Sequence, residues 1–328
     1  MNRRMRRAVP AALALSLALS ACGGSDDEAA APATSGASSE AGGGDVSGEV
    51  LVDGSSTVQP LTAAAGELFK EENSGVNVSV GTSGTGGGFE VFCQGTTDIS
   101  NASRPIKDEE KAACDAAGVK FTELQVATDA LTVVTSAQNE FLECLTTDEL
   151  KKLWSPEATD TVKTWNQVNP AFPNQPIELY GPGTDSGTFD YFTDEINGEE
   201  GASRTDYNAS EDDNVIVQGV SGSENALGYF GYTYFEENAE ALKAVQVDSG
   251  AGCVTPSAET AQDGTYTPLS RPLFIYVSDK AASEKPQVKA FVDYYAGNDS
   301  EIAEAAQYIP LNEEQRGKLE TAAAALGA

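Results

Sequence analysis

The sequence of 328 residues contains no histidine, and both of its methionines, Met1 and Met5, lie at the very start. Without histidine the chain lacks Ser-His-Asp and Cys-His nucleophile systems, imidazole acid–base catalysis and imidazole metal ligation. Its cysteines never occur at Cys-x-x-Cys spacing, which argues against a zinc or redox site. We therefore expect a protein that is not an enzyme and that carries neither a metal nor another cofactor.

Basic residues are also scarce, because 20 lysines and arginines stand against 51 acidic residues, for a formal net charge of −31. Binding to a phosphate backbone requires lysine and arginine concentrated on one face. We therefore expect no nucleic-acid partner. The hydrophobic fraction of 40% is ordinary for a globular protein, and the length is sufficient for two packed lobes.

The amino terminus has the pattern of a lipoprotein signal peptide over residues 1–21. Four arginines precede an apolar run, residues 11–19, that is too short to span a bilayer. The run ends in Leu19-Ser20-Ala21-Cys22-Gly23, which resembles a bacterial lipobox, in which the cysteine receives fatty acyl chains such as palmitate and becomes the first residue. The alternative is an ordinary secretory signal with a chance cysteine. Cleavage before Cys22 would remove the arginines and no acid, taking the charge from −31 to −35.

Residues 22–47 read as a lipidated Cys22 followed by a flexible tether. Val46 is the only large apolar residue after Cys22 in this segment, so it cannot bury enough surface to offset the entropy of ordering. The folded body is then 48–328. We expect an extracytoplasmic protein that is anchored to the cell membrane only through the lipid on Cys22.

Four cysteines remain in the body, an even number that suggests two disulfides in an exported chain. Three pairings are open. We favour Cys93–Cys114, which closes a local loop, together with Cys144–Cys253, which joins distant segments.

Strands and helices alternate along the first part of the body. Apolar periodicity predicts β-α-β-α-β-α-β up to a strand over Val119–Val126, followed by a second apolar segment beginning at Leu131. A long apolar strand, Leu269–Val277, comes late in the chain. This order predicts an α/β fold with helices on the faces of the sheet.

Three segments pack glycine, serine and threonine between a strand and a helix. The first turn of a helix has unpaired N–H groups and a positive dipole end, so it can hold an anion. Each segment alone is better explained as a capped helix. Together with Arg104, they favour an oxyanion site. The segments are Gly54-Ser55-Ser56-Thr57, Ser83-Gly84-Thr85-Gly86-Gly87 and Gly183-Thr184-Asp185-Ser186-Gly187-Thr188.

The body resembles the lipid-anchored phosphate-binding proteins of bacterial ABC phosphate transporters, the PstS type, and most closely their actinobacterial branch. The resemblance covers nearly all of 48–328. It rests on five motifs in this order: Asp53-Gly54-Ser55-Ser56-Thr57-Val58, Asp98-Ile99-Ser100-Asn101-Ala102-Ser103-Arg104-Pro105-Ile106, Gly181-Pro182-Gly183-Thr184-Asp185-Ser186-Gly187-Thr188-Phe189, Ala226-Leu227-Gly228-Tyr229-Phe230-Gly231 and Leu269-Ser270-Arg271-Pro272-Leu273-Phe274-Ile275.

The resemblance implies a two-lobed periplasmic-binding-protein fold of type II, with the ligand between the lobes and two hinge crossings. Lobe 1 would comprise 48–126 and 269–328, and lobe 2 would comprise 127–268. Carried over by position, the ligand-binding residues of one lobe would be Ser56, Thr57, Val58, Ser83 and Thr85, and those of the other Ser186, Gly187 and Thr188.

The chain departs from the family pattern in its charged residues. Some members carry an arginine where this chain has Pro182 and an aspartate where it has Arg104. The resemblance therefore leaves Arg104 as the positive charge of the site, unless it forms a structural ion pair with an acid of its own lobe. A buried acceptor for the phosphate proton would distinguish phosphate from sulfate. Asp185 is the leading candidate, ahead of Asp53 and the cluster Glu211-Asp212-Asp213.

The sequence thus predicts a solute-binding lipoprotein that captures inorganic phosphate for an ABC importer, with a permease and ATPase complex as its partner and a monomer as its own state. The alternatives are a receptor for sulfate or another tetrahedral oxyanion, a hydrolase, and a surface or signalling lipoprotein.

Overall fold

The computed structural model of the chain describes residues 46–327. The expected signal peptide, Cys22 and nearly all of the expected tether lie outside this range. Within it, none of the helices combines the length and the apolar character that a membrane crossing requires.

The strands and helices alternate as far as the middle of the chain, as the sequence predicts. The strands are β1 (Gly48–Gly54), β2 (Val76–Val80), β3 (Ile99–Ala102), β4 (Phe121–Ser136), β5 (Cys144–Thr146), β6 (Glu178–Gly181), β7 (Asn208–Ala209), β8 (Ala226–Gly231), β9 (Leu242–Ala244), β10 (Gln246–Asp248), β11 (Cys253–Val254) and β12 (Ser270–Ser278).

The helices pack on both faces of the sheet and form the carboxyl-terminal segment. They are α1 (Gln59–Glu72), α2 (Gly84–Cys93), α3 (Asp108–Ala117), α4 (Thr147–Trp154), α5 (Trp165–Val168), α6 (Gly187–Phe192), α7 (Asp213–Ser221), α8 (Tyr232–Glu237), α9 (Ala258–Gln262), α10 (Asp279–Glu284), α11 (Pro286–Gly297), α12 (Asp299–Ala305) and α13 (Glu313–Ala325). A 3-10 turn spans Pro156–Ala158, and a π-helical segment, Thr193–Asn197, directly continues α6.

The main sheet has the strand order β2-β1-β3-β12-β4-β8-β6-β7, and β9 pairs with β4 along the edge opposite β8. Strands β1, β2 and β3 pair in parallel, as crossover helices require. The late strand β12 inserts antiparallel between β3 and β4. The chain therefore returns to the first half of the sheet after building the second.

Strand β4 belongs to both halves of the sheet. Its residues from Phe121 to Ala130 pair with β12, and those from Leu131 to Thr135 pair with β8. The prediction of a strand that ends at Val126 and a new segment that begins at Leu131 is wrong, because the structure has one strand of 16 residues. Residues 126–136 are all buried, since this strand lies in the middle of a sheet covered on both faces, and so they show no alternation.

Each half of the sheet has its own large core. Phe69 and Phe291 pack edge to face in the first, between α1 and α11. In the second, the ring of Phe192 stacks on Tyr229 at 3.8 Å, and Trp154 packs edge-on against both. Two separate cores joined by a shared strand are what a two-part body requires.

Both disulfides favoured from the sequence are present. Cys93–Cys114 joins α2 to α3, with 4.3 Å between the Cα atoms. Cys144–Cys253 joins β5 to β11, the outer strands of the small sheet β11-β10-β5, with 6.1 Å between the Cα atoms. The second closes a separation of 109 residues, so it restricts the unfolded chain more than the first.

Candidate functional site

A cleft of about 640 Å³ lies where the two halves of the sheet meet. One wall is formed by the turns after β1, β2 and β3, and the opposite wall by α6 and its π-helical continuation. The start of β12 lies between them and contributes Ser270, Arg271 and Pro272. The cleft therefore gathers residues from three distant parts of the chain.

The first turn presents unpaired backbone donors. The N–H of Ser55 donates to the carbonyl of Asn101 at 2.9 Å, and that of Gln59 donates to Ser55 at 3.1 Å. The three N–H groups between them, those of Ser56, Thr57 and Val58, donate to no other residue of the range 46–327. Such groups at a helix start are suited to an anion.

Gly54 permits this turn to lie against β3. Its φ of +134° is a conformation that glycine alone adopts readily, and a side chain there would collide with the carbonyl of Asn101. The second turn is tied to the first by Asp53, whose Oδ1 accepts the N–H of Gly54 at 2.8 Å and that of Ser83 at 3.0 Å. Asp53 therefore positions the two turns relative to each other.

The turn after β3 connects to the turn after β2 through hydroxyl groups. Oγ1 of Thr85 accepts the backbone N–H of Ser103 at 3.2 Å and lies 3.1 Å from its Oγ. Ser83, Thr85 and Ser103 all line the cleft. Hydroxyl groups both donate and accept, so they can contact an oxyanion while remaining bonded to each other.

Arg104 lines the same wall, but its fork is occupied. Nη1 and Nη2 donate to the two carboxylate oxygens of Glu110 at 2.8 and 2.7 Å, and Nη1 also donates to the carbonyl of Pro105. Partial burial disfavours the charged form of Glu110, but the bonds from Arg104 and from the Lys107 N–H outweigh it and lower the pKa of this carboxyl. This geometry matches the structural ion pair weighed as the alternative for Arg104.

A second arginine, Arg271, lies in the cleft. Its Nε donates to Oδ2 of Asp129 at 3.1 Å, and its Nη2 donates to Oγ1 of Thr57 at 2.9 Å. Within the described range, Nη1 has no hydrogen-bond partner, so its donors remain for a ligand. Because Oγ1 of Thr57 already accepts from Arg271, the hydroxyl hydrogen is also left to donate. The carbonyl of Thr57 is fixed by the hydroxyl of Tyr308 at 2.8 Å.

The carboxylate that orients Arg271 is itself buried. Asp129 lies in β4 with its side chain only 9% exposed, directly opposite Arg271 in the ladder with β12. Burial raises the pKa of Asp129, and the charge and hydrogen bond of Arg271 oppose that rise. On its other side the guanidinium lies 3.6 Å from the centre of the Tyr191 ring. Arg271 is thus held by residues of both walls.

The walls approach each other at Gly187. A methyl group in place of its hydrogen would lie 3.4 Å from Oγ1 of Thr57. From there the helix presents Asp190, Tyr191, Asp194 and Glu195 to the cleft, and Glu200 follows it.

The residues predicted for the site are divided by the structure. Ser56, Thr57, Ser83, Thr85, Arg104 and Gly187 line the cleft. Val58 contributes only backbone, because its side chain is fully buried in the core. The side chain of Ser186 caps the N–H of Thr188 at 3.2 Å, and neither residue lines the cleft.

The predicted acidic candidates lie elsewhere or are already bonded. The N–H of Asp185 donates to Glu211 at 3.3 Å, and neither Asp185 nor residues 211–213 line the cleft. Arg271, Asp129 and the helix residues that follow Gly187 are not among the residues predicted for the site. The available signal was a charged residue in each of two apolar strands, Asp129 in 124–134 and Arg271 in 269–277.

Comparison with known proteins gives consistent results. A family model described as the PBP superfamily domain matches residues 39–299. Protein SphX of Synechocystis sp. is 51% identical over 265 residues, which cover 81% of this chain and 79% of SphX. The phosphate-binding protein PstS of Staphylococcus saprophyticus is 42% identical over 314 residues, 94% of this chain and 92% of PstS.

Among solved structures, the crystal structure of a possible phosphate binding protein from Planctomyces limnophilus is similar, with a TM-score of 0.81 and 44% sequence identity. The match covers 86% of this chain and 99% of that one, so the similarity includes both halves of the sheet.

Proposed function

Because this chain belongs to the PBP superfamily, among its PstS-type members, we propose that it captures inorganic phosphate for an ABC phosphate importer. The α/β, two-lobed fold predicted from the sequence is confirmed by this membership. Proteins of this family are extracytoplasmic substrate-binding proteins and not enzymes. The identity of the ligand is inferred from the geometry of the cleft.

The observation that carries the proposal is the set of unpaired donors around Thr57. The N–H groups of residues 56–58 and Nη1 of Arg271 have no partner among the described residues, and Ser56, Thr57 and Arg271 all line the cleft. A tetrahedral oxyanion offers several acceptor oxygens to such a set, and a guanidinium adds a charge-assisted bond. Closure of the two walls would exclude water and strengthen each bond.

Within this proposal the predicted site residues take different parts. We assign direct contact to the residues of the first two turns, to Gly187 and to Arg271. Ser186 and Thr188 hold the turn that brings Gly187 to Thr57, and Arg104 contributes its positive charge from the edge of the cleft.

We keep the proposed lobes as 48–126 with 269–328, and 127–268. The change of partner within β4, between Ala130 and Leu131, and the start of β12 at Ser270 support two crossings beside the cleft. Hinge closure around a ligand is the common motion of such a fold. Small-angle scattering should show compaction on saturation with phosphate, and an unchanged radius of gyration would contradict the hinge.

Isothermal titration calorimetry with phosphate and sulfate tests the function. Tight phosphate binding with weak sulfate binding is expected. Tight sulfate binding without phosphate binding would favour the alternative receptor, and turnover of a phosphate ester would favour a hydrolase. A folded protein that binds neither anion would favour a surface or signalling lipoprotein.

We also propose that Cys22 is acylated after removal of 1–21 and that a monomer delivers phosphate to a permease and ATPase complex at the membrane. Support comes from the Leu19-Ser20-Ala21-Cys22 sequence and from the similarity to the phosphate-binding protein PstS. Expression of the full chain in a bacterium fed radiolabelled palmitate should label it, and Cys22→Ala should abolish the label. Equal labelling of the variant would contradict the anchor.

A further inference from the structure

The carbonyl group of Thr57, in the turn before α1, accepts a hydrogen bond from a distant part of the chain. The hydroxyl of Tyr308 donates to it at 2.8 Å, across a separation of 251 residues. In a regular helix this carbonyl would accept the N–H of the residue four positions later, but no backbone N–H within 46–327 donates to it. Tyr308 itself does not line the cleft. This turn therefore has a hydrogen-bond partner that lies outside the cleft.

The carbonyl of Thr57 and the N–H of Val58 belong to one planar peptide group. The peptide bond is trans, so its carbonyl and its N–H point in opposite directions. A donor that fixes the carbonyl therefore also fixes the direction of the Val58 N–H, which has no partner among the described residues. The bond from Tyr308 also polarises the peptide group, and such polarisation strengthens the next hydrogen bond by roughly 10–30%.

Tyr308 is itself held in place by its neighbours along the chain. Ile309 exchanges two backbone hydrogen bonds with Thr128 of β4, at 3.0 and 3.1 Å, and its side chain is buried. The carbonyl of Pro310 accepts Nε2 of Gln262 at 2.7 Å. The backbone that carries the tyrosine ring is therefore fixed against the middle of the sheet.

Two separate groups hold Thr57. Its Oγ1 accepts Nη2 of Arg271 at 2.9 Å, and its carbonyl accepts the hydroxyl of Tyr308. Burial raises the pKa of Tyr308, and the charge of Asp129 adds to the rise while that of Arg271 opposes it. The hydroxyl therefore keeps its proton at neutral pH and acts as the donor to the carbonyl.

We infer that Tyr308 is a positioning residue for the anion site, because its hydroxyl orients and polarises the Thr57–Val58 peptide group toward a ligand oxygen. The inference rests on the proposed function, since it concerns the phosphate that the cleft would bind. In this role Tyr308 acts through the Val58 N–H and does not touch the ligand. A group that is oriented before binding loses less freedom when the ligand arrives, so the bond contributes to affinity and not only to stability.

The test is calorimetric titration of Tyr308→Phe with phosphate, since this change removes the hydroxyl and keeps the ring. A net hydrogen bond of this kind corresponds to a weakening of the Kd by about three- to ten-fold. Tyr229→Phe is the matched control, because Tyr229 is a core residue whose hydroxyl has no partner among the described residues and which does not line the cleft. It should keep the wild-type Kd.

Nuclear magnetic resonance separates positioning from a loss of stability alone. Phosphate should move the amide proton of Val58 downfield, and the shift at saturation should be smaller in Tyr308→Phe than in the wild type. The amide proton of Ser56 is the internal control, because the carbonyl of its peptide group, that of Ser55, accepts from Gln59 and not from Tyr308. Its shift should be the same in both proteins, whereas a general loss of stability would not single out Val58.

The outcomes separate the inference from the proposed function. A Kd for folded Tyr308→Phe within about two-fold of the wild type, or a Val58 amide proton at its wild-type position, overturns the inference and leaves the proposed function standing. A wild-type protein that does not bind phosphate overturns both.

A second replacement covers the case in which Tyr308→Phe does not fold, as judged by its thermal unfolding. Incorporation of 3-fluorotyrosine at position 308 keeps the ring and makes the hydroxyl more acidic, and therefore a stronger donor. The Val58 amide proton of the phosphate complex should then move further downfield, and phosphate should bind more tightly. An unchanged position of that proton overturns the inference.

Discussion

The two arginines of the cleft, Arg104 and Arg271, both face a carboxylate of the same chain, but the two pairs leave different atoms free. Arg104 uses both terminal nitrogens on Glu110, in a parallel two-bond arrangement. Arg271 gives only Nε to Asp129 and Nη2 to Thr57, and its Nη1 has no partner within the described range. Both terminal nitrogens of the first arginine are engaged by its pair, whereas the second is oriented by its pair and keeps one terminal nitrogen unengaged among the described residues.

The difference follows from where the partners lie. Glu110 is in the first turn of α3, six residues after Arg104, so a long side chain folds back onto it locally. Asp129 and Arg271 are 142 residues apart and meet across the ladder of β4 and β12. There the backbone fixes both Cα atoms, so the carboxylate reaches the near side of the guanidinium and leaves its end for a ligand.

The largest expected effect is the loss of phosphate binding in Arg271→Ala. This change removes a charge-assisted bond worth about 1.5–3 kcal/mol and also the donor that holds the Thr57 hydroxyl. The affinity should fall on the order of a hundred-fold or more, since about 1.4 kcal/mol is a factor of ten. Calorimetry measures it, and an unchanged Kd in a folded variant would remove Arg271 from the site.

A matched variant separates charge from geometry at Arg271. Arg271→Lys keeps the positive charge but lacks the planar fork, so it should recover only part of the affinity. Either change removes or alters the partner of the buried carboxylate of Asp129. The phosphate affinity of each variant is therefore also measured in the Asp129→Asn background. A loss that disappears in that background would assign Arg271 a role in stability alone.

The sequence predicts the turns that supply hydrogen-bond donors to the cleft, but it does not show which arginine is open to a ligand. Ser56, Thr57, Ser83 and Thr85 belong to glycine-rich turns whose position before helices is visible in the residue order. The prediction of Arg104 rests on its place in a polar turn beside them, and nothing in its local sequence indicates that Glu110 occupies its fork. The ion pair is a matter of side-chain geometry within one turn and the following helix.

Arg271 is not predicted from the sequence because its partner is distant along the chain. Arg271 lies in one apolar strand and its partner Asp129 lies in another. In the sequence each is a single charged residue within an apolar stretch, with no sign of a partner. Only the insertion of β12 beside β4 brings them together. Nothing in the residue order shows that Asp190, Asp194 and Glu195 line the cleft, because their position depends on how α6 packs.

A third arginine–carboxylate pair, Arg204 with Asp206, contributes to the fold and not to the cleft. Arg204 is buried, donates to Asp206 at 2.6 and 2.9 Å, and also donates to the carbonyls of Leu153 and Val162. The hydrogen bond from Arg204 lowers the pKa of Asp206 to about 2. Neither residue lines the cleft.

Asp206→Asn should therefore change stability without changing binding. At pH 7 it should lower the free energy of unfolding by about 1–3 kcal/mol, because the guanidinium loses its charged partner. A carboxyl with a depressed pKa stabilises the fold above its unfolded value of about 4, and this contribution is lost as pH falls toward 2. Urea unfolding should thus show the two proteins converging in stability at low pH. An equal difference at pH 7 and about pH 2.5 would contradict this account.

The smallest expected effect is that of Arg104→Ala on phosphate affinity, less than about five-fold. Its terminal nitrogens are already engaged by Glu110, so a ligand would gain mainly a neutralised charge at the edge of the cleft, and exposed charges act weakly in water. Glu110→Gln should have the opposite effect. It weakens the bonds that hold the guanidinium of Arg104, so the affinity for phosphate should rise by a few-fold. Calorimetry of both variants decides between the two roles. A loss for Arg104→Ala as large as that for Arg271→Ala would mean that the bound state exchanges Glu110 for phosphate, and the distinction between the two arginines would then hold only for the ligand-free cleft.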